Sequence, residues 1–485
     1  MNMQLSKIIE GIVCEKQNFS EREITHITFD SRSVVEGALF VAQRGVHVDG
    51  HKYIEQAVGQ GAVAVVCEEM PCNVNPEIAY IVVTDSSAAL GMMAANYYGN
   101  PTEHIKLVGV TGTNGKTTTV TLLHRMFRMA GYHVGLISTI VNKIDEQEIP
   151  TTHTTPDSLE LNRLLSEMVK QGCDYCFMEV SSHAVVQQRI AGLVFYGGVF
   201  SNITHDHLDF HKTMKAYIEA KKGFFDMLTS GAFALVNKDD RNGMVMVQNT
   251  KAAVSTYSLR GNADFSCKII ENTFQGLHLE IDRQDVWVRL VGRFNAYNVT
   301  AIYGVAVLCG MEKMEVLRLL STLSAAEGRF EYINGKGVTA IVDYAHTPDA
   351  LENVIDTINA IRVRQQRLIT VVGCGGDRDK TKRPEMAQIA VRKSDIVILT
   401  SDNPRTENPE AILDDMFAGL TTEEQRQALR ISDRRQAIKT ACMTAQEGDI
   451  VLVAGKGHEK YQEVNGVRSH FDDKEEVRNC LEVRK

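Results

Sequence analysis

The stretch Ile105-Lys-Leu-Val-Gly-Val-Thr-Gly-Thr-Asn-Gly-Lys-Thr-Thr118 constrains this chain more than any other part of it. The apolar run from Ile105 to Val110 predicts a buried strand. A glycine-rich turn with Gly112 and Gly115 follows. Lys116 and Thr117 then open a helix with apolar residues at Val120, Leu122, Leu123, Met126 and Phe127. Glycines let backbone N–H groups curl around phosphate oxygens, and a helix N-terminus offers free donors and partial positive charge. Lys116 would reach the β- and γ-phosphates of a nucleoside triphosphate, with the Thr117 hydroxyl on Mg²⁺. The general phosphate-loop pattern has a glycine five residues before Gly115, where this chain has Val110. The loop is therefore a shortened variant, Thr-Gly-Thr-Asn-Gly-Lys-Thr-Thr. An incidental lysine after a turn would not explain both the strand before it and the helix after it.

At 485 residues the chain has room for about three domains. Residues 1–104 read as a small mixed α/β N-terminal domain, with a helix-turn-strand from Ala57 to Cys67, a strand at Tyr80 to Val83, and Asn100-Pro101-Thr102 as a linker. Residues 105–330 read as a central P-loop domain with a mostly parallel sheet, its strands at Val134–Ser138, Tyr175–Val180, Gly197–Ser201 and Ala232–Val236. Period-two alternation in Leu277–Ile281 and Val286–Leu290 predicts an antiparallel hairpin within it. Residues 331–485 read as a C-terminal Rossmann-like α/β domain. Its strands are expected at Val338–Val342, Leu368–Val372, Ile396–Leu399 and Ile450–Val453, its helices from Pro348 and about Pro384.

In open α/β sheets ligands bind beyond the carboxyl ends of the strands. Six polar clusters follow apolar strands here: Glu179 to His183, Asn202 to His207, Asp343 to His346, Gly375 to Asp379, Asp402 to Arg405, and Gly455 to Glu459. The balance of 52 basic and 61 acidic side chains gives −9, which argues against a sequence-independent grip on nucleic acid. No apolar run approaches the roughly 18 residues of a membrane-spanning helix, and the first residues lack the apolar core of a secretory signal. A cytoplasmic protein without membrane or nucleic-acid partners is expected. Cys173 and Cys176 form a lone Cys-x-x-Cys with no second pair at zinc-site spacing, so buried thiols are expected there.

Thr-Gly-Thr-Asn-Gly-Lys-Thr-Thr, Met-Glu-Val-Ser-Ser-His, Asp-His-Leu-Asp, Gly-Arg-Phe-Asn-Ala-Tyr-Asn, Glu-Gly-Arg-Phe-Glu and Asp-Tyr-Ala-His-Thr-Pro occur in that order. Together they resemble the Mur ligases, the ATP-dependent amide-forming enzymes of peptidoglycan precursor synthesis, over about residues 25 to 475. Ala326-Glu327 stands before Gly328-Arg329, where the family often has a proline. Asp-Asn-Pro-Arg and Gly-Gly-Asp-Arg-Asp-Lys are most similar to the member that adds diaminopimelate, the third residue of the stem peptide.

The resemblance implies that ATP phosphorylates the glutamyl carboxylate of a UDP-N-acetylmuramoyl dipeptide, and that the incoming amine displaces phosphate. It makes Lys116, Glu179, His207 and Lys221 catalytic. Thr117, Glu179, His207 and Lys221 would hold two Mg²⁺ ions, Lys221 as a carbamate (N6-carboxylysine). His205 would stand behind them or in solvent, and Lys222 in solvent. ATP contacts would come from Gly112, Thr113, Asn114, Gly115, Lys116, Thr117, Thr118, Asn295, Arg329, Asp343 and His346, the last three on domain closure. Asn298 is expected to cap its helix. Ser31 in the N-terminal, UDP-sugar-binding domain and Thr154, Thr155, Ser181, Gln187 and Arg189 would bind the UDP-N-acetylmuramoyl dipeptide, with His47 and Asp49 lining the same pocket.

Diaminopimelate would meet Arg378, Asp402, Asn403, Pro404, Arg405, Gly455 and Glu459, with Glu459 facing an ammonium. Diaminopimelate differs from lysine by a distal carboxylate, which a guanidinium such as Arg405 pairs with in two-pronged fashion. A monomer is expected. A lysine-adding Mur ligase and a folylpolyglutamate-type ligase are the enzymatic alternatives, and a nucleotide-binding switch the non-enzymatic one.

Overall fold

A computed structural model describes residues 2–45, 48–151 and 153–482. Among these residues three sheets of five or more strands account for the alternating apolar runs. The first runs in the order Glu15–Gln17, Ala79–Val82, Ala62–Cys67, Ala38–Val41, His26–Thr28, parallel except at the Glu15–Gln17 edge. The segment expected to be a linker is instead a short helical turn, Pro101–Glu103. Thr102 is buried, and its hydroxyl accepts the Val194 N–H at 3.1 Å, so the turn is fastened to the second sheet.

The second sheet has eleven strands. Its centre is parallel, in the order Val134–Ile137, Tyr175–Glu179, Lys106–Thr111, Gly197–Phe200, Phe233–Asn237, Ala253–Ser258. Both faces are covered, which is why these strands read as unbroken apolar runs. Leu107, Cys176, Met178 and Phe200 face a core shared with the helices Ser158–Lys170 and Met214–Asp226. Val108, Val110, Phe177 and Val199 face the helices Lys116–Met129 and Arg293–Leu308. Phe127 lies edge-on to Tyr175 and Phe177, 4.8 Å from each. Burying such a side chain stabilises by about 1.5–3 kcal/mol. The predicted hairpin is present, Gly276–Ile281 against Gln284–Val288, with Leu277, Leu279 and Ile281 turned inward.

The third sheet runs Glu331–Gly335, Val338–Asp343, Ile450–Ala454, Leu368–Cys374, Ile396–Ser401, Ala428–Arg430, parallel beyond its first pair. Helices Pro348–Ile361 and Lys382–Lys393 cover one face, and Arg434–Thr444 and Asp473–Glu482 the other. Each of the six polar clusters therefore follows a strand at its carboxyl end. No helix among the described residues is long and apolar enough to cross a membrane.

Candidate active site

The strand Lys106–Thr111 delivers the chain into the phosphate loop, and the loop is held from behind by its neighbour. Asn202 accepts the Thr113 N–H through its carbonyl (2.8 Å) and the Asn114 N–H through its side chain (2.9 Å). The Ser201 hydroxyl donates to the Asn114 carbonyl at 2.7 Å. Two glycines are required by this closeness. Gly112 has φ +149° and a Cβ there would stand 1.9 Å from Ser201 Oγ; Gly115 has φ +89° and its Cβ would stand 2.5 Å from Asn298 Oδ1.

Two lysines converge on this loop. Lys116 Nζ donates to the Gly112 and Thr113 carbonyls at 2.8 and 2.9 Å, and Lys221 Nζ to the Gly112 carbonyl at 2.8 Å. Lys221 is buried, on the inner face of the helix Met214–Asp226. Burial pushes both ammonium groups below the usual lysine range, Lys221 well below it, and each cation adds to the effect: Arg329 on Lys116, and Lys116 on Lys221. Lys222, expected in solvent, is instead largely covered and paired with Asp226 at 2.7 Å, one turn on.

Glu179 ends the strand beside the loop. It is buried, and its carboxylate accepts the Thr139 N–H at 2.8 Å. His207 has a left-handed backbone (φ +53°) and its ring nitrogen lies 3.3 Å from Asp206. Its partial burial, with His183, Lys116 and Lys221 nearby, lowers its pKa against the pull of Asp206 and favours the neutral imidazole. His205 faces Asp379 of the third sheet at 3.6 Å.

The third sheet closes over the loop. Arg329 stacks on the Tyr344 ring and donates to the Thr117 hydroxyl at 3.2 Å; Asn114 donates to Asp349 at 2.6 Å. Asp343 accepts the Phe330 N–H at 2.7 Å, and burial lifts its carboxyl to about 6 against the pull of Arg329. The half-buried His346 donates through Nδ1 to the Tyr344 carbonyl, 2.9 Å away. A cavity of about 400 Å³ lies between the sheets, lined by Gly115, Thr118, Phe294, Asn298, Arg329 and His346 among others. That volume suits a small organic ligand.

Asn298 corrects the sequence reading. Its helix begins at Arg293 with Gly292 before it, so Asn298 lies in the second turn and caps nothing. It lines the cavity against Gly115. Asn295 donates to the Val291 carbonyl at 2.8 Å and accepts from Asn298 at 3.1 Å.

A second cluster lies past the strands Val134–Ile137 and Tyr175–Glu179. Arg189 donates to the Thr155 carbonyl (2.7 Å), Thr155 to the Glu179 carbonyl (2.8 Å), and the Ser181 N–H to Thr155 Oγ1 (3.2 Å). Thr154 accepts from Thr139 at 3.1 Å, and Gln187 ends the helix Ser182–Val186. Ser31 opens the short helical turn Ser31–Ser33 after the strand His26–Thr28, with its hydroxyl near Gln56. Asp49 caps the next turn through His51, and His47 lies outside the described residues.

The third cluster joins the loops after Ser401 and Ala454. Asn403 donates to Glu459 at 2.7 Å, and Gly455 brings its α-carbon against Asp402. Arg405, left-handed at φ +52°, is fixed by backbone bonds to Glu463 and Asn465, and its guanidinium donates to the Gly376 carbonyl at 2.7 Å. Pro404 packs on Gly376, while Arg378 is exposed and donates to the Asp377 carbonyl. The ammonium that Glu459 meets is that of Lys456, at 3.3 Å. Lys456, Tyr344 and Asn202 lie within the strand-end clusters marked from the sequence, which assigned none of them a role. A lysine between two glycines straight after an apolar strand was the available signal for the first.

Three family models match the chain: "Mur ligase family, catalytic domain" over residues 23–98, "Mur ligase middle domain" over 110–306, and "Mur ligase, glutamate ligase domain" over 328–457. The chain belongs to the Mur ligase family. Within it, a UDP-N-acetylmuramoyl-L-alanyl-D-glutamate–2,6-diaminopimelate ligase of Phocaeicola vulgatus is 55% identical over 99% of both chains. The protein of the same name from Chlorobaculum tepidum is 44% identical over 95% of this chain and 92% of its own. A solved structure bearing that name superposes with a TM-score of 0.70 at 34% identity, covering 99% of each chain.

Proposed function

We propose that this protein joins diaminopimelate to UDP-N-acetylmuramoyl-L-alanyl-D-glutamate at the expense of ATP, in the cytoplasm and as a single chain. The observation that carries this reading is the meeting of Lys116, Lys221 and Arg329 on one phosphate loop, with peptide-side and amino-acid-side clusters on either hand. Residues 1–104 would hold the UDP-sugar, 105–330 ATP, and 331–485 the amino acid.

In this mechanism the glutamyl carboxylate oxygen attacks the γ-phosphorus, the bond to the β-phosphate oxygen breaks, and ADP leaves an acyl phosphate. The neutral amine then attacks the acyl carbon, and the tetrahedral intermediate expels inorganic phosphate as the nitrogen loses its proton. Such chemistry rests on placing anions together and neutralising them. Lys116 leaves its loop carbonyls to follow the phosphate charge, and Arg329 brings a second cation from the third sheet. Ser181, Thr155 and Arg189 orient the dipeptide, with Arg189 able to grip a carboxylate. Phe294 and Asn298 lie where a base and ribose would fit.

Thr117, Glu179 and His207 would hold Mg²⁺, which supplies further charge neutralisation when bound. The donor set fits: Glu179 is a buried carboxylate beside a phosphate loop, an arrangement that favours a cation between them. Among the described residues no three His, Cys, Asp or Glu side chains form a cage, as suits a cation that takes most ligands from phosphate and water. Lys221 completes the set as a carbamate. Its buried amine, whose protonated form burial and Lys116 disfavour, would in its unprotonated form bond to the carbon of CO₂ and release a proton, replacing an unfavourable buried cation with an oxygen-bearing anion beside Lys116.

The test incubates the protein with ATP, Mg²⁺, the UDP-sugar dipeptide and a panel of amino acids, and reads product mass. Diaminopimelate product, with phosphate release only when both acceptor and amino acid are present, is expected. Slow hydrolysis without either would point to a nucleotide switch.

A further inference from the structure

Lys456 carries a charge inside the amino-acid pocket that no step of the ligation uses. It follows the strand Ile450–Ala454 between Gly455 and Gly457, and it is fully buried. Its Nζ lies 3.1 Å from Asn403 Oδ1, 3.3 Å from Glu459 Oε2 and 3.7 Å from Asp402 Oδ1, over the Tyr461 ring at 5.4 Å. A buried ammonium is costly unless carboxylates compensate it, and two such carboxylates need a cation in turn. Burial and the Asp402 charge push the Glu459 carboxyl up, and Lys456 pulls it back.

Arg405 brings a further cation to this pocket, acting on Tyr461 together with Arg468 and against Glu459 and Glu463. Neighbouring charges cancel in pairs, Arg434 with Asp473 and Arg468 with Glu463, and Arg378 stands in solvent, where it is screened. The lining therefore holds two carboxylates, one ammonium and one guanidinium, and is neutral overall. A ligand end that leaves it neutral carries one carboxylate and one ammonium. A lone ammonium leaves Arg405 unmatched and the pocket positive.

We propose that Lys456 is a specificity-determining residue that sets this pocket to zero net charge and so selects an amino acid with a zwitterionic far end over one ending in a lone ammonium. This rests on the assignment of the pocket to the incoming amino acid. Without Lys456 the pocket carries a net negative charge and prefers a cation.

The experiment compares wild type and Lys456→Gln with diaminopimelate and with lysine, after a melting scan of each. In Lys456→Gln the KM for diaminopimelate should rise while that for ATP stays unchanged. The ratio of kcat/KM for diaminopimelate to that for lysine should fall by about tenfold or more. An unchanged ratio in a folded variant overturns the proposal, because loose packing alone would weaken both substrates together. If Lys456→Gln does not fold, the double variant Lys456→Gln/Glu459→Gln, which removes one charge of each sign, should fold. A double variant that melts no higher than the single one shows that the lysine only fills space, and overturns the proposal. A wild type that ligates no diaminopimelate overturns the pocket assignment itself, and the role of Lys456 with it.

Discussion

Replacing Arg434 with methionine would strip the third sheet of a guanidinium that ties two site loops together. Arg434 is buried to 1% exposure on the helix Arg434–Thr444. It donates to both oxygens of the equally buried Asp473 at 2.8 and 2.7 Å, to the Ala454 carbonyl at 3.1 Å and to the Ser401 carbonyl at 3.4 Å. Ser401 and Ala454 are the last residues before Asp402 and Gly455, so the side chain fixes the points from which both pocket loops depart. The substitution leaves a carboxylate with no counter-charge and two strand-end carbonyls with one donor fewer. Breaking a buried pair in this way costs about 3–5 kcal/mol. In a domain of this size the melting point should drop by roughly 6–20 °C, at about 2–4 °C per kcal/mol. A differential scanning measurement reads the drop, and a diaminopimelate titration should show a raised KM as the two loops loosen. Adding Asp473→Leu removes the stranded charge, and the double variant should regain most of the stability, because well-packed apolar groups replace buried ion pairs at little cost. A single variant that melts with wild type, or a double variant no more stable than the single, would refute the reasoning.

Lys221→Ala should abolish turnover, and added bicarbonate should not restore it, since no amine remains to carry the carboxylate; near-normal rates in a phosphate-release assay would remove Lys221 from the site. Arg405→Ala and Arg405→Lys should both weaken diaminopimelate use selectively, because only a guanidinium matches a distal carboxylate with two parallel bonds; a steady-state comparison with lysine reads this, and an unaltered preference contradicts it. Asp343, lifted by burial to about 6, binds its proton more tightly folded than unfolded. It therefore contributes stability that is whole below the usual carboxylate pKa near 4 and is lost as the pH rises through 6. Asp343→Asn lacks this loss, so from pH 4 to pH 7.5 it should gain about 3 kcal/mol on wild type in urea denaturation, at 1.36 kcal/mol per pKa unit. Parallel curves for the two proteins would count against it.

Much of this architecture was legible along the chain because its signals are local. Apolar runs such as Lys106–Thr111 and Leu368–Cys374 are buried on both faces, and the alternation in Gly276–Ile281 records one buried and one open face. Clusters ending these runs marked the loops where ligands gather. The asparagines at 295 and 298 show where such reading stops: both are three residues apart on one helix, and which meets the phosphate loop depends on how that helix is rotated against its sheet.

The sequence by itself determined the central strands and the helices that follow them, the phosphate loop and the family. Tertiary structure alone decided the partnerships: Lys221 with a carbonyl 109 residues away, Arg329 with a hydroxyl 212 residues away, and Lys456 with Asn403, 53 residues back. Periodicity states which face a residue takes, whereas charge compensation depends on ångström distances between elements, and those are set only when whole helices and sheets pack.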